Sequence, residues 1–299
     1  KQSSTLGETL KGEMGVHGSY FGPVSSSPII RGLDGPRVMI AQNGLDAGDV
    51  SRIGPDHAVS SEASSATRIE VLRGPATLLY GSGAIGGVVN VVDDRVPTDT
   101  ETRIDWIVEH NTGANENLAS AAISTGQDNI AFHFDGFWRE SDNYKIPGYT
   151  EDDRLFHMDD VHDDHEEEHD EHEEHHDEEH DHGRSYGHLP NSQSESNGAN
   201  IGLSYILDNG HVGFSYGELN RLYGLTGHSH GDEVVQADMH QKKFLMSSEL
   251  RLNHDIFDHV STRVGFTKYT HKELEGAEVG TLFASDTHEA KVDLIHKTF

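Results

Sequence analysis

The chain has 299 residues, with 22 Lys+Arg against 52 Asp+Glu and a formal net charge of -30, which argues against nucleic acid as a partner because phosphate binding needs a basic face. With no cysteine, disulfide frameworks, Cys-ligated zinc, iron–sulfur sites and thiol catalysis are excluded. No run of 18 apolar residues occurs, which excludes a transmembrane helix but not an outer-membrane β-barrel, whose strands alternate and never produce such a run.

In chain order, Lys1-Gln2-Ser3-Ser4 carries neither a signal peptide nor an initiator Met, and reads as the start of a processed or truncated chain. The first hundred residues are glycine-rich and mixed in pattern. Gly54-Pro55-Asp56-His57-Ala58 is turn-rich, and a surface turn is its plain reading, Pro-Asp being common turn chemistry. Gly81-Ser82-Gly83-Ala84-Ile85-Gly86 matches the dinucleotide fingerprint, but that fingerprint must open a helix. Here it runs into Val88-Val89-Asn90-Val91-Val92, a β run, so a nucleotide site is rejected.

From about Thr102 the chain reads as β-strands. Ile104, Trp106 and Val108 share one face; Ile201, Leu203 and Tyr205 share another; Val212, Phe214 and Tyr216 follow, then Phe244 and Met246, Val260 to Phe266, and Ala290, Val292 and Leu294. Period-2 alternation repeated this often gives sheets with one apolar and one polar face. Connections alternate as well. Short turns at Gly126–Asn129, Leu207–Gly210 and His254–Asp258 separate longer links at Asn111–Asn117, Ser141–Ser196, Asn220–Lys242 and Thr270–Asp286. Short turns on one side and long loops on the other predict an outer-membrane barrel rather than a soluble sandwich.

One long link concentrates the charge. Residues 151–182 hold 18 acidic residues and one basic one, Arg154, with nine histidines: His157, His162, His165, His169, His172, His175, His176, His180 and His182. So little of this tract is apolar that composition predicts disorder or conditional order. A plain acidic run is usually a solvated spacer, but solubility needs no imidazole, and interleaved histidines point to metal capture. His165, His169, His172, His176 and His180 step by 4, 3, 4 and 4, one face if the segment turns helical. Imidazole and carboxylate suit Zn²⁺, and imidazole also suits Cu²⁺ and Ni²⁺.

Arg68-Ile69-Glu70-Val71-Leu72-Arg73-Gly74-Pro75, then Leu79-Tyr80-Gly81, then Gly86-Gly87-Val88-Val89-Asn90-Val91-Val92 resemble the plug core of TonB-dependent outer-membrane receptors. Ile30-Arg31-Gly32-Leu33, Val38-Met39-Ile40 and Asn43-Gly44 resemble its earlier strands. The resemblance implies a mainly β protein: a plug domain at 1–97, N-terminally incomplete, then at 98–299 the first strands, about eight, of a large antiparallel transmembrane β-barrel. In that family the barrel has about 22 strands, so the chain reads as a fragment. The link at 141–196 becomes an extracellular loop, and the location becomes the outer membrane of a Gram-negative bacterium. Within the family, the acidic-histidine tract and Tyr223-Gly224-Leu225-Thr226-Gly227-His228-Ser229-His230 resemble zinc receptors of the ZnuD type. That narrower resemblance implies metal ligation by His228 and His230, and an inner metal site at Asp56 and His57 on the plug. Two adjacent ligands cannot complete a tetrahedral zinc shell, so the barrel should supply others, with His271, Glu273 and His288, or residues beyond Phe299, as candidates. Glu70 and Arg73 are expected to pair with the barrel wall.

The function these readings favour is import of Zn²⁺, a transported ligand, by a receptor that works with the TonB complex in outer-membrane lipid. The alternatives are a haem or metallophore receptor on the same scaffold, or a metal-binding surface protein that transports nothing. An enzyme is not expected, since no motif for nucleophilic catalysis is present.

Overall fold

The computed structural model describes residues 3–150, 185–230 and 233–297. The first hundred residues build a small body around a mixed sheet. A short helix, α1 (Leu6–Leu10), is capped by the Thr5 hydroxyl, and β1 (Val16–Gly18) pairs with β2 (Pro28–Ile30). Next come β3 (Val38–Gln42), β4 (Leu45–Asp46), β5 (Arg68–Leu72) and β6 (Gly87–Val92) in the sheet order β4-β3-β6-β5. Strands β3 and β6 run parallel, while β5 is antiparallel to β6. Asn43 and Gly44 both take positive φ, the conformation a two-residue turn between β3 and β4 requires. The core is Leu6, Leu10, Val16, Ile30, Val38, Ile40, Val59, Val89 and Val91. The Gly81–Gly86 run forms 3-10 turns and leads into β6.

The rest is one antiparallel sheet. Its strands are β7 (Arg103–Asn111), β8 (Glu116–Gln127), β9 (Ile130–Ser141), β12 (Ser194–Leu207), β13 (Gly210–His230), β14 (Glu233–Arg251), β15 (Phe257–Glu275) and β16 (Glu278–His296). A separate hairpin, β10 (Lys145–Tyr149) with β11 (Tyr186–His188), rises from the connection after β9. Alternation along the sheet is inverted relative to a water-soluble protein. Phe132, Phe134 and Ile201 are 53%, 55% and 60% exposed, whereas His133, Asp135 and Arg139 between them are buried. Apolar residues face outward and polar ones face the first body, as a barrel wall in lipid requires.

Two of the expected long links are mostly strand. Strands β13 and β14 pair from Gly210↔Leu250 to His230↔Glu233 with one irregularity after Gly224, and β15 and β16 close at Glu275↔Glu278. The apolar alternation stops near Phe266 because the outward residues beyond it, Lys268, Thr270 and Lys272, are polar, while Thr267, Tyr269 and His271 are buried on the inner face; the backbone ladder needs no apolar side chain to continue. These strands of 19 and 21 residues are about twice the 9–11 that cross a bilayer, so the wall stands well proud of the membrane.

Candidate functional site

The two bodies meet along a strip of the first and at β4, after the turn from β3, where Asp46 N–H donates to Glu289 Oε2 (2.8 Å) and Lys243 Nζ donates to Asp46 O (3.0 Å). Residues 57–64 lie across the inner face of the sheet. The Ala58 N–H donates to Tyr223 Oη (2.8 Å) on β13, and Arg221 Nη1 donates to Val59 O (2.9 Å). Gln241 Nε2 donates to Ser60 Oγ (3.3 Å) from β14. Glu62 takes Arg139 at 3.1 Å and Arg221 at 3.4 Å. These three charges are buried, and buried ions persist only when paired.

His57 opens the strip and faces β15. It is 5% exposed. Its Nε2 lies 2.9 Å from Glu273 Oε1, and its Nδ1 lies 2.8 Å from Ser51 O. A backbone carbonyl only accepts, so Nδ1 carries a proton. One proton must lie between Nε2 and Glu273 Oε1 for the two to bond, and a cation arriving there takes the place of that proton. His271, fully buried, stands beside it with ring centroids 4.4 Å apart and the rings tilted by 44°. Its Nδ1 is 3.1 Å from Tyr269 Oη, whereas its Nε2 is buried with no hydrogen-bond partner. An unpartnered buried nitrogen is costly, and a ligand at that atom would remove the cost. Phe283 packs edge-on against both imidazoles, with centroids 5.4 and 5.9 Å away, and helps keep the site dry.

Local sequence explains the placement. A 3-10 turn at Ser51–Ile53 ends on Gly54, and the His57 ring lies against this glycine. A Cβ at Gly54 would stand 2.7 Å from the imidazole Cε1 and Nδ1, so only glycine leaves the ring its place. Arg52 pins the turn by donating to Gly35 O (2.7 Å) and to Val38 O. Burial lowers its guanidinium pKa, an effect that Asp49 and Asp46 partly offset. On the wall, Tyr269, His271 and Glu273 alternate along β15 and therefore share the inner face.

Other expected residues fall elsewhere. Asp56 is half-buried and near enough to act electrostatically on His271. His288 pairs with Phe266 across the strands, their centroids 5.2 Å apart; it is on the lipid-facing side and cannot reach His57. The nine histidines His157 to His182 lie outside the described residues, and the side chains of His228 and His230, at the end of β13, do as well. Glu70 and Arg73 differ from expectation. Arg73 donates to Met14 O (2.6 Å), and Glu70 accepts from Arg68 (2.8 Å) and Asn90 (2.8 Å), all within the first body. Burial pushes the Glu70 carboxyl up, but its bonds to Asn90 and Arg68, with Arg263 of the wall nearby, bring it below the ordinary value. The attachment to the wall runs instead through Glu62, His57, Ser51, the backbone of the strip and that of Asp46 and Ala47. Sequence reading missed Glu62, Ser51, Tyr269 and the Arg139–Arg221 pair; lone arginines at inward positions of apolar-patterned strands were the available signal. Among the described residues no set of three or more His, Asp or Glu is already arranged to hold a metal ion. Binding therefore requires the His57–Glu273 contact to open.

A globular body carrying this strip, set against an apolar-out, polar-in wall, is the architecture of a plugged outer-membrane barrel. Residues 1–88 match the TonB-dependent Receptor Plug Domain family. The whole chain has the fold of TonB-dependent receptors. It is similar to the copper transporter OprC, at 15% identity and TM-score 0.66 over 91% of this chain and 36% of that one. It is similar to the FrpB iron transporter from Neisseria meningitidis, at 10% identity and TM-score 0.65 over 91% and 39%. The ferric enterobactin receptor from Pseudomonas aeruginosa matches at 14% identity and TM-score 0.62 over 96% and 43%. The chain thus spans less than half the length of each. Plug-bearing receptors of this fold are Gram-negative outer-membrane proteins, and the outward apolar face fits that location.

Proposed function

We propose that this chain is the plug and part of the wall of a TonB-dependent receptor that imports Zn²⁺. The observation that carries the reading is the meeting of plug His57 with wall His271 and Glu273, where one buried Nε2 has no partner and the other holds a displaceable proton. With Asp56 beside them, the donors are two imidazoles and two carboxylates, a set suited to zinc. Zinc–ligand bonds of about 2.0–2.2 Å at a tetrahedral angle put neighbouring donors about 3.3 Å apart. His57 Nε2 and Glu273 Oε1, now at 2.9 Å, would separate by only about 0.4 Å.

The nine tract histidines, with His228 and His230, would capture the ion first. The negative field of the tract raises the local cation concentration, and many weak ligands exchange quickly. Energy delivered by the TonB complex would then withdraw the plug and carry His57 away from the wall. The likeness to a copper transporter is one of fold at 15% identity and sets no metal preference. The test is the Asp56→Ala, His57→Ala double variant. It should insert normally in the membrane and fail to support growth when zinc is scarce. Normal growth would reject the site, and competition among Zn²⁺, Cu²⁺, Ni²⁺ and haem in the complete receptor would fix the cargo.

A further inference from the structure

Ser51 bonds one imidazole directly and reaches the other through Tyr269. Its carbonyl oxygen faces His57 Nδ1 at 2.8 Å, and its hydroxyl is 2.7 Å from Tyr269 Oη, which in turn is 3.1 Å from His271 Nδ1. The direction of this second chain follows from its far end. Asp49 Oδ1 receives the Ser51 hydroxyl at 2.9 Å and the Ser51 N–H at 3.0 Å, while Asp49 Oδ2 receives the Ser60 N–H at 2.9 Å. A carboxylate accepts only, so the Ser51 hydroxyl proton is committed to Asp49. Ser51 Oγ must then accept from Tyr269, and Tyr269 Oη must accept from the Nδ1–H of His271. The proton of His271 is thereby held on Nδ1, which leaves Nε2 as the bare, unpartnered atom.

We propose that Ser51, backed by Asp49, is a positioning residue that keeps Nδ1 of both His57 and His271 protonated, so that both Nε2 atoms are available to one cation only while the plug is docked. Asp49 and Ser51 belong to the plug, whereas Tyr269 and His271 belong to the wall. Withdrawal of the plug frees the Tyr269 hydroxyl to donate to His271 Nδ1. The ring proton then moves to Nε2, the ligating atom is blocked, and the ion is released instead of being recaptured by the wall. An acceptor on the second ring nitrogen is a general means of orienting histidine ligands; here the acceptor chain crosses between two bodies that can separate.

The inference rests on the zinc reading for its purpose but not for its test. In the complete receptor labelled with ¹⁵N-histidine, without metal, nitrogen NMR should find Nδ1 protonated and Nε2 bare in His271. In Asp49→Asn the side-chain amide can donate to Ser51, which turns the chain around, so His271 should switch to the Nε2–H form. His57 should keep its Nδ1 proton, because its acceptor is a backbone carbonyl. Zinc affinity should fall at least tenfold. Should Asp49→Asn fail to reach the membrane, Tyr269→Phe removes the hydroxyl that accepts from His271 Nδ1 and should give a mixture of both forms. An unchanged His271 in either variant overturns the proposal, as does an Nε2–H form in the unaltered protein. If His57→Ala leaves zinc binding intact, the zinc reading falls, and the NMR result still decides the proton relay.

Discussion

If a cation displaces the proton between His57 and Glu273, zinc binding and proton release must be linked at one identifiable pair. Near neutral pH the complete receptor should release about one proton per zinc bound at this site, because Nδ1 of His57 keeps its proton on Ser51 O and the Nε2 proton has to leave. Glu273→Gln separates this account from a generic acidic site. The amide can donate to Nε2, so His57 is neutral before the metal arrives and proton release should drop to about zero. Affinity should fall as well. Zinc sites of four ligands bind with about 10–16 kcal/mol, or about 3 kcal/mol per ligand, which corresponds to a loss of about a hundredfold. His57→Ala should cost a similar factor. Isothermal titration in two buffers of different ionisation enthalpy measures affinity and proton count together. Equal proton release in the unaltered receptor and in Glu273→Gln would refute the reasoning, whatever the affinities.

Gly54→Ala should lower zinc affinity about 10–100-fold, the range for changes behind a metal ligand, by pushing the His57 ring off its seat. Because Gly54 has φ -75, alanine meets no backbone strain, and an unchanged melting temperature with lost affinity would separate this effect from unfolding. Asp93 is buried against Arg95 at 2.6 Å; burial raises its carboxyl pKa, but Arg95 and Asn43 outweigh burial and hold it below the usual range. A depressed pKa gives stability that is present above the unfolded value of about 3.9 and lost as pH falls through the folded one, so Asp93→Asn should cost about 3–5 kcal/mol at neutral pH and flatten the acid limb of the thermal melt below about pH 4. Removing residues 157–182 should leave assembly intact, since Thr150 N–H already bonds Ser185 O at 3.0 Å just past the Tyr149–Tyr186 end of the β10–β11 hairpin, and should slow uptake mainly when zinc is scarce; loss of barrel assembly would show the tract to be structural.

The wall was legible because lipid and lumen impose opposite demands on alternate residues, so Ile104, Trp106 and Ile201 announced their face in sequence. Strand ends were not legible. Beyond Phe266 the outward side chains of β15 turn polar while the inner ones pack against the plug, so the apolar alternation ends although the backbone ladder continues to Glu275. Asp56 and His57 stood out only through the resemblance, since Pro-Asp in a turn is ordinary chemistry. His271 and Glu273 were named as candidates together with His288, and sequence could not rank the three. Parity decides among them: 271 and 273 share the inner face of β15, whereas His288 lies opposite Phe266 on the outer one. Ser51 and Tyr269 were invisible because their importance lies in contacts across 218 positions of sequence.

Geometry also bears on the cargo. A haem held by two histidines needs the imidazoles on opposite sides of its plane, yet His57 and His271 stand with centroids 4.4 Å apart and Phe283 packed against both, too close for a porphyrin to pass between them. A bare ion needs no such gap. The two rings are tilted by 44°, and their supports come from different directions, a plug turn on one side and a wall strand on the other. Dividing the ligands between two bodies has a further consequence. Every bond the ion makes to the wall while bonded to the plug adds to their docking, so the loaded receptor should hold its plug more tightly than the empty one. On the proposed reading the ion would stay in place until the plug is pulled, as passage of a metal without leakage requires.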